Sequence, residues 1–301
     1  MIKKLNALIA VMVVYMMIFT GCTVTSASTT ESKEVTVSSE QVTETVITEP
    51  VIKMMNTIGI IGAMEEEVTI LKDKMDIEKK VQVAGMTFYQ GTLHNQNIIL
   101  ARSGVGKVNA ATCAQLMITL FDIDYLINSG VAGGMYEELK QGDIVISTDA
   151  VQHDFDVTAL GEPLGEISRL GITYFEADED LINLSEKAAE SINLEDVKVF
   201  KGRIASGDQF VAGGALEERI QTNFAPYAVE MEGAAIAHVA YLNEIPYVII
   251  RAISDNADGE AELSYPEFLP IAAKNASTLL EEIIRLAEEE LPVLSPSVEL
   301  K

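Results

Sequence analysis

The strongest constraint on this chain is a set of short, almost wholly apolar runs, each closed by glycine or by acidic residues. Thr57-Ile58-Gly59-Ile60-Ile61 and Tyr247-Val248-Ile249-Ile250 are the clearest of them. A strand that is apolar at successive positions has to be covered on both faces, which is the situation of a parallel strand between helices. The sequence between the runs has helical spacing. Residues 65–75 place Val68, Leu71 and Met75 on one face, and residues 105–120 form an alanine-rich helical stretch. Further helices are predicted over 178–192, 213–224, the segment after Glu232, and 265–290. Further strands are predicted over 125–128, 143–150, 197–205, 228–231 and 247–253. Residues 87–93 and 97–102 flank His94-Asn95-Gln96 and read as a hairpin. The alternation predicts an α/β sandwich with a central mixed, largely parallel sheet.

The rest of the chain sets the context. Lys3 and Lys4 precede an apolar run from Leu5 to Phe19, the pattern of an export signal, and the run is short for a spanning helix. It ends in Phe19-Thr20-Gly21-Cys22, which resembles the lipobox of bacterial lipoproteins. Residues 1–22 are therefore expected to be a lipoprotein signal, with Cys22 lipidated and the remainder exported and anchored at the outer face of the cell membrane. The alternative is an uncleaved signal anchor. Residues 23–54 are rich in Thr, Ser, Val and Glu without aromatic residues or glycine, so a flexible stalk is expected there. A globular domain follows over 55–291, then a polar tail over 292–301. The net charge of -25 excludes a polyphosphate ligand such as nucleic acid, whose binding rests on Lys and Arg. Two cysteines and three scattered histidines offer no transition-metal spacing, so neither a metal nor a disulfide is expected.

In open α/β sheets, ligands gather at the carboxyl ends of the strands. Five such ends carry chemistry. After the first strand come Ala63-Met64-Glu65-Glu66-Glu67, whose carboxylates would also suit a helix N-terminus. Asn128-Ser129-Gly130-Val131-Ala132-Gly133-Gly134 lets backbone approach a ligand, or is simply a turn. Ser206-Gly207-Asp208-Gln209-Phe210 offers an aromatic ring for stacking or for the core. Val229-Glu230-Met231-Glu232-Gly233 and Arg251-Ala252-Ile253-Ser254-Asp255 place charges in apolar surroundings, where an unpaired charge is costly. A structural ion pair between Arg251 and Glu232 would account for two of them.

Together these segments resemble the 5′-methylthioadenosine/S-adenosylhomocysteine nucleosidases of the nucleoside phosphorylase superfamily, from about Thr57 to Glu290. The resemblance implies a three-layer α/β/α sandwich and a homodimer whose active site borrows side chains from its partner. It implies an adenine thio-nucleoside as substrate and no cofactor. Asp255 matches the general acid at adenine N7, with Ser254 orienting it, and Glu67 the group that activates water. Glu232 matches the ribose ligand, with Met231 beneath the sugar and Arg251 nearby. Phe210 matches the ring on adenine, and Val211 the backbone that reads the base edge. Met64, Val105 and Tyr265 match the wall around the 5′ group. Val131 stands where some relatives place a serine, and residues 153–173 diverge after Thr158.

The implied chemistry is coherent. Adenine leaves poorly as an anion, and protonation at N7 makes it a neutral leaving group from an oxocarbenium-like transition state. Such an acid has to hold its proton above the roughly 3.9 of a free aspartic acid, which burial or neighbouring carboxylates achieve. Three rival readings stand beside it: a phosphorylase, a hydrolase for aminodeoxyfutalosine or another adenine nucleoside, and a lipoprotein that binds nucleosides without cleaving them.

Overall fold

The computed structural model describes residues 55–294 apart from 195 and 258–260. The expected signal, Cys22, the stalk and most of the tail lie outside the described residues. Among the described residues no helix is long and apolar enough to cross a membrane.

The first apolar run is β1 (Thr57–Gly62), followed by α1 (Glu65–Lys72). A meander of β2 (Asp76–Val83), β3 (Met86–Leu93) and β4 (Gln96–Arg102) leads to α2 (Lys107–Phe121). Then come β5 (Tyr125–Gly134), β6 (Ile144–Gln152), the two-residue β7 (Phe175–Glu176) and α3 (Glu179–Ser191). The chain closes with β8 (Val199–Ser206), α4 (Gly214–Phe224), β9 (Ala228–Glu230), α5 (Gly233–Leu242), β10 (Tyr247–Asp255) and α6 (Ala261–Glu290).

The sheet is mixed. Its middle is parallel, with β4, β1, β5 and β10 side by side, and β3 and β2 continue it antiparallel to the edge. At the other side β10 also pairs with β6, which runs through β8 and β9 back to β5. Five strands thus close into a ring. Every residue of β5 and β10 is buried, as the apolar runs require. Helices cover the sheet in two groups, α2 packed on α5, and α6 packed on both α1 and α3.

Three boundaries differ from the sequence expectation, each for a physical reason. β2 carries Glu78, Lys79 and Lys80 in an exposed edge strand, so it has no apolar run to betray it. β5 continues through the glycines to Gly134, where a turn had been one reading. The last helix starts at Ala261 and runs through Pro266 and Pro270, residues that supply no backbone N–H to a helix. At its far end, Pro292 is tied back to the start of the domain, its carbonyl accepting from Asn56 Nδ2 at 3.1 Å and from the Tyr125 hydroxyl at 2.9 Å. Cys113 is buried in α2, and burial pushes its thiol up to about 12.

Candidate active site

One cavity opens where the expected strand ends converge. Its wall includes Met64, Glu67, Val105, Val131, Phe210, Val211, Met231, Glu232, Ser254, Asp255 and Tyr265. Seven separated stretches of the sequence thus meet in one place. Among the described residues, no lysine, arginine or histidine lines it.

Glu67 is the third residue of α1, and its side chain folds back over the turn that follows β1. Its Oε2 accepts the amides of Ala63 at 2.6 Å and Met64 at 2.9 Å, and its Oε1 accepts the Val131 amide at 3.0 Å. By reaching back to the Met64 amide, the N-cap of α1, Glu67 closes one side of a capping box. Burial pushes the Glu67 carboxyl up, against Arg251 and the amides, which favour the ionised form. Of the acidic triplet, Glu65 and Glu66 are exposed and fit the dipole reading, and Glu65 pairs with Lys72.

The glycines of β5 make room for carboxylates. A Cβ on Gly130 would stand 2.4 Å from Glu67 Oε1, and one on Gly133 would stand 2.9 Å from Asp255 Oδ1. Both acids therefore lie directly against the strand, three residues apart, or about 10 Å at the usual rise. The glycine segment serves the protein's own side chains in this way.

Asp255 ends β10 and is 2% exposed. Its Oδ1 accepts the Ala257 amide at 2.9 Å, and the Ser254 hydroxyl lies 2.9 Å from its Oδ2. The same hydroxyl lies 3.3 Å from the Ala132 carbonyl. A serine has one hydrogen to give, so it cannot donate to both acceptors at once.

Glu232 sits at the start of α5, with Oε1 accepting the Gly106 amide at 2.7 Å. Burial and the adjacent Glu230 push it up to about 8, against Arg251 and the Gly106 amide. Phe210 is 47% exposed and meets the Tyr265 ring edge-on at 5.8 Å. The Tyr265 hydroxyl donates to Met64 Sδ at 3.2 Å.

Arg251 departs from expectation. It is fully enclosed and does not line the cavity, and its ion-pair partner is Glu230, where Glu232 had been expected. Its Nη2 also donates to Asn128 Oδ1 at 2.5 Å and its Nη1 to the Ile250 carbonyl at 3.3 Å. Glu230 is the functional group that sequence reasoning missed. Besides Arg251 it accepts from the Ser206 hydroxyl and from the amides of Glu232 at 3.0 Å and Gly233 at 2.7 Å. The signal was available, since an arginine in an apolar strand needs a buried carboxylate and the segment 229–233 offers two. Gln209 also lines the cavity unforeseen. Among the described residues no cluster of His, Cys, Asp or Glu is arranged to hold a metal ion.

The closed ring of strands and the carboxylate-lined cavity define the class. A family model described as the phosphorylase superfamily matches residues 57–285. A relative from Psychromonas ingrahamii, a 5′-methylthioadenosine/S-adenosylhomocysteine nucleosidase, is 48% identical over 228 residues, covering 75% of this chain and 97% of its own. The Neisseria meningitidis nucleosidase of the same name, solved in complex with methylthio-immucillin-A, superposes with a TM-score of 0.74 at 41% identity, over 77% of this chain and 99% of its own. A futalosine hydrolase of Helicobacter pylori gives a TM-score of 0.72 at 35% identity, over 76% of this chain and 97% of its own. This chain belongs to the 5′-methylthioadenosine/S-adenosylhomocysteine nucleosidase family of the phosphorylase superfamily.

Proposed function

We propose that the chain hydrolyses the N-glycosidic bond of 5′-methylthioadenosine, S-adenosylhomocysteine, or both, releasing adenine and the 5-thioribose. The observation that carries this reading is the pair of buried carboxylates, Glu67 and Asp255, laid against one strand in one cavity. Asp255 is the acid that protonates adenine N7. Ser254, whose hydroxyl lies 2.9 Å from Asp255 Oδ2, orients that carboxyl. Glu67 is fixed by three amides, which leave one lone pair of Oε1 to polarise the attacking water. Glu232 has Oε2 left to accept from the ribose 2′ and 3′ hydroxyls, and Met231 underlies the sugar. Phe210 stacks on adenine, and the Val211 backbone reads its edge. Met64, Val105 and Tyr265 surround the 5′ group. Negative charge about the sugar favours a cationic transition state.

The same charge argues against a phosphorylase. Inorganic phosphate would have to sit among Glu67, Glu230 and Glu232 with, among the described residues, no cationic side chain lining the cavity. The likeness to a futalosine hydrolase favours, as a second reading, a related adenine nucleoside with a different 5′ substituent. Capture without cleavage, the third, leaves the Glu67 and Asp255 pair unexplained. Free adenine released from methylthioadenosine in phosphate-free buffer tests the proposal, and faster release from aminodeoxyfutalosine would transfer it to the second reading.

The proposal includes the address and the assembly. Export and a lipid on Cys22 rest on the signal-like residues 1–22, which precede the matched domain. A homodimer is supported by apolar side chains left exposed on the packed pair α2 and α5, namely Val108, Leu120, Tyr241 and Leu242. Native mass spectrometry of the membrane-extracted protein is expected to give two chains, each carrying an acyl-glyceryl adduct at Cys22. An unmodified thiol would remove the anchor, and a single chain the dimer.

A further inference from the structure

Outside the cavity wall, three loops meet in a closed circuit of hydrogen bonds. They are Gly106-Lys107 at the start of α2, Gln152 to Asp154 at the end of β6, and Gly207-Asp208 just beyond β8. Lys107 Nζ donates to Asp154 Oδ1 at 2.5 Å and to Gln152 Oε1 at 3.2 Å. Asp154 Oδ2 accepts the Asp208 amide at 3.0 Å, and Asp208 Oδ1 accepts the Lys107 amide at 2.8 Å. Each carboxylate thus ties one loop to another, and the circuit returns to the lysine where it began.

Two outputs leave this circuit, and both reach the cavity. Gly106, the residue before Lys107, sends its amide to Glu232 Oε1 at 2.7 Å. Phe210 follows Asp208 by two residues, at the end of the exposed stretch 208–210. The geometry around the circuit is tight. Gly106 has a φ of 96°, and a Cβ there would stand 3.0 Å from Asp208 Oδ1. At Gly207 a Cβ would stand 2.3 Å from Nε2 of the buried His153, so the loop can approach only as glycine. Burial pushes Asp154 up, but the Lys107 ammonium and the Asp208 amide outweigh it, so the carboxylate stays charged.

We infer that Lys107, Asp154 and Asp208 are positioning residues which set the spacing between the ribose ligand and the adenine platform. This rests on the roles proposed for Glu232 and Phe210. The circuit touches neither acid nor water-activating group. It fixes where the Gly106 amide holds Glu232 and where Phe210 stands over the base, so that both ends of one nucleoside meet their partners together. Its loss should weaken binding and leave the chemical step.

The test uses the full chain and four variants, Asp208→Ala, Asp208→Asn, Lys107→Met and the double variant Lys107→Met/Asp208→Ala. KM and kcat for methylthioadenosine, the affinity for adenine alone, and the melting temperature are read for each. Asp208→Ala is expected to raise KM and weaken adenine binding by about tenfold with kcat within about threefold, the signature of lost binding. Asp208→Asn keeps one acceptor oxygen for the Lys107 amide and should restore most of that loss. The double variant should lose no more than the worse single one, because the three residues act as a unit. A folded Asp208→Ala enzyme with unchanged KM and adenine affinity overturns the inference, as does a fall in kcat alone. If Asp208→Ala does not fold, Lys107→Met, which keeps the apolar stem, decides by the same readouts. If the wild-type chain releases no adenine, the functional reading fails, and adenine affinity across the variants still decides this one.

Discussion

Asparagine at position 255 is expected to reduce kcat by roughly 10²–10⁴-fold while KM changes little. The substitution keeps the shape of the side chain and its contacts to the Ala257 amide and Ser254, both at 2.9 Å. What it removes is a transferable proton, which matters only as the bond to adenine breaks, so the loss falls on the chemical step. The base is then forced to depart as an anion. Analogues whose leaving group is already good should recover part of the rate in the variant, since they need less protonation. Turnover close to wild type would take the acid role from Asp255.

A second large effect is expected on stability. Arg251→Met replaces a fully buried guanidinium with an apolar chain of similar length, and strands the carboxylates it faces. Glu230 loses its ion pair, and Glu67 and Glu232 lose the positive charge that favours their ionised forms. Removing one partner of a buried pair costs about 3–5 kcal/mol, more than the pair itself contributes relative to apolar packing. For a domain of this size the melting temperature should fall by roughly 10 °C. The sign with pH follows from the carboxyls. Glu67 and Glu232 already lie above the 4.5 of a free glutamic acid, Glu232 at about 8, and without Arg251 both move further up. A carboxyl whose folded pKa is raised contributes stability below its unfolded pKa and loses it as pH rises through the folded value. The deficit of Arg251→Met against wild type should therefore shrink near pH 5 and be greatest above about pH 8. Melting curves at both ends of that range check it, and a deficit independent of pH would show that Arg251 acts through packing alone.

Much of the fold is legible because burial on both faces leaves a mark in sequence. β1, β5 and β10 stand at the centre of the sheet and read as apolar runs, and the functional groups sit at their ends, where the topology of such sheets places them. β2 left no mark because an exposed edge strand is free to be charged. The length of β5 was hidden by its glycines, which resemble a turn until the carboxylates lying against them are seen. In the site, residue types marked the candidate groups and could not say which meet. Arg251 pairs with Glu230 across two strands, a choice between carboxylates two positions apart that only the register of β9 and β10 about β5 decides. The circuit of Lys107, Asp154 and Asp208 was equally hidden, since its members lie 47 and 101 positions from the lysine and belong to polar loops without any periodic pattern.

In the proposed reaction, water activated at Glu67 replaces adenine on the sugar. This step is tested most directly by a single turnover of methylthioadenosine in ¹⁸O-labelled water, with inorganic phosphate present, followed by mass analysis of both products. The expected products are free adenine and a thioribose carrying one labelled oxygen at C1, formed at a rate indifferent to phosphate. A thioribose 1-phosphate, or bound nucleoside recovered intact, would contradict it.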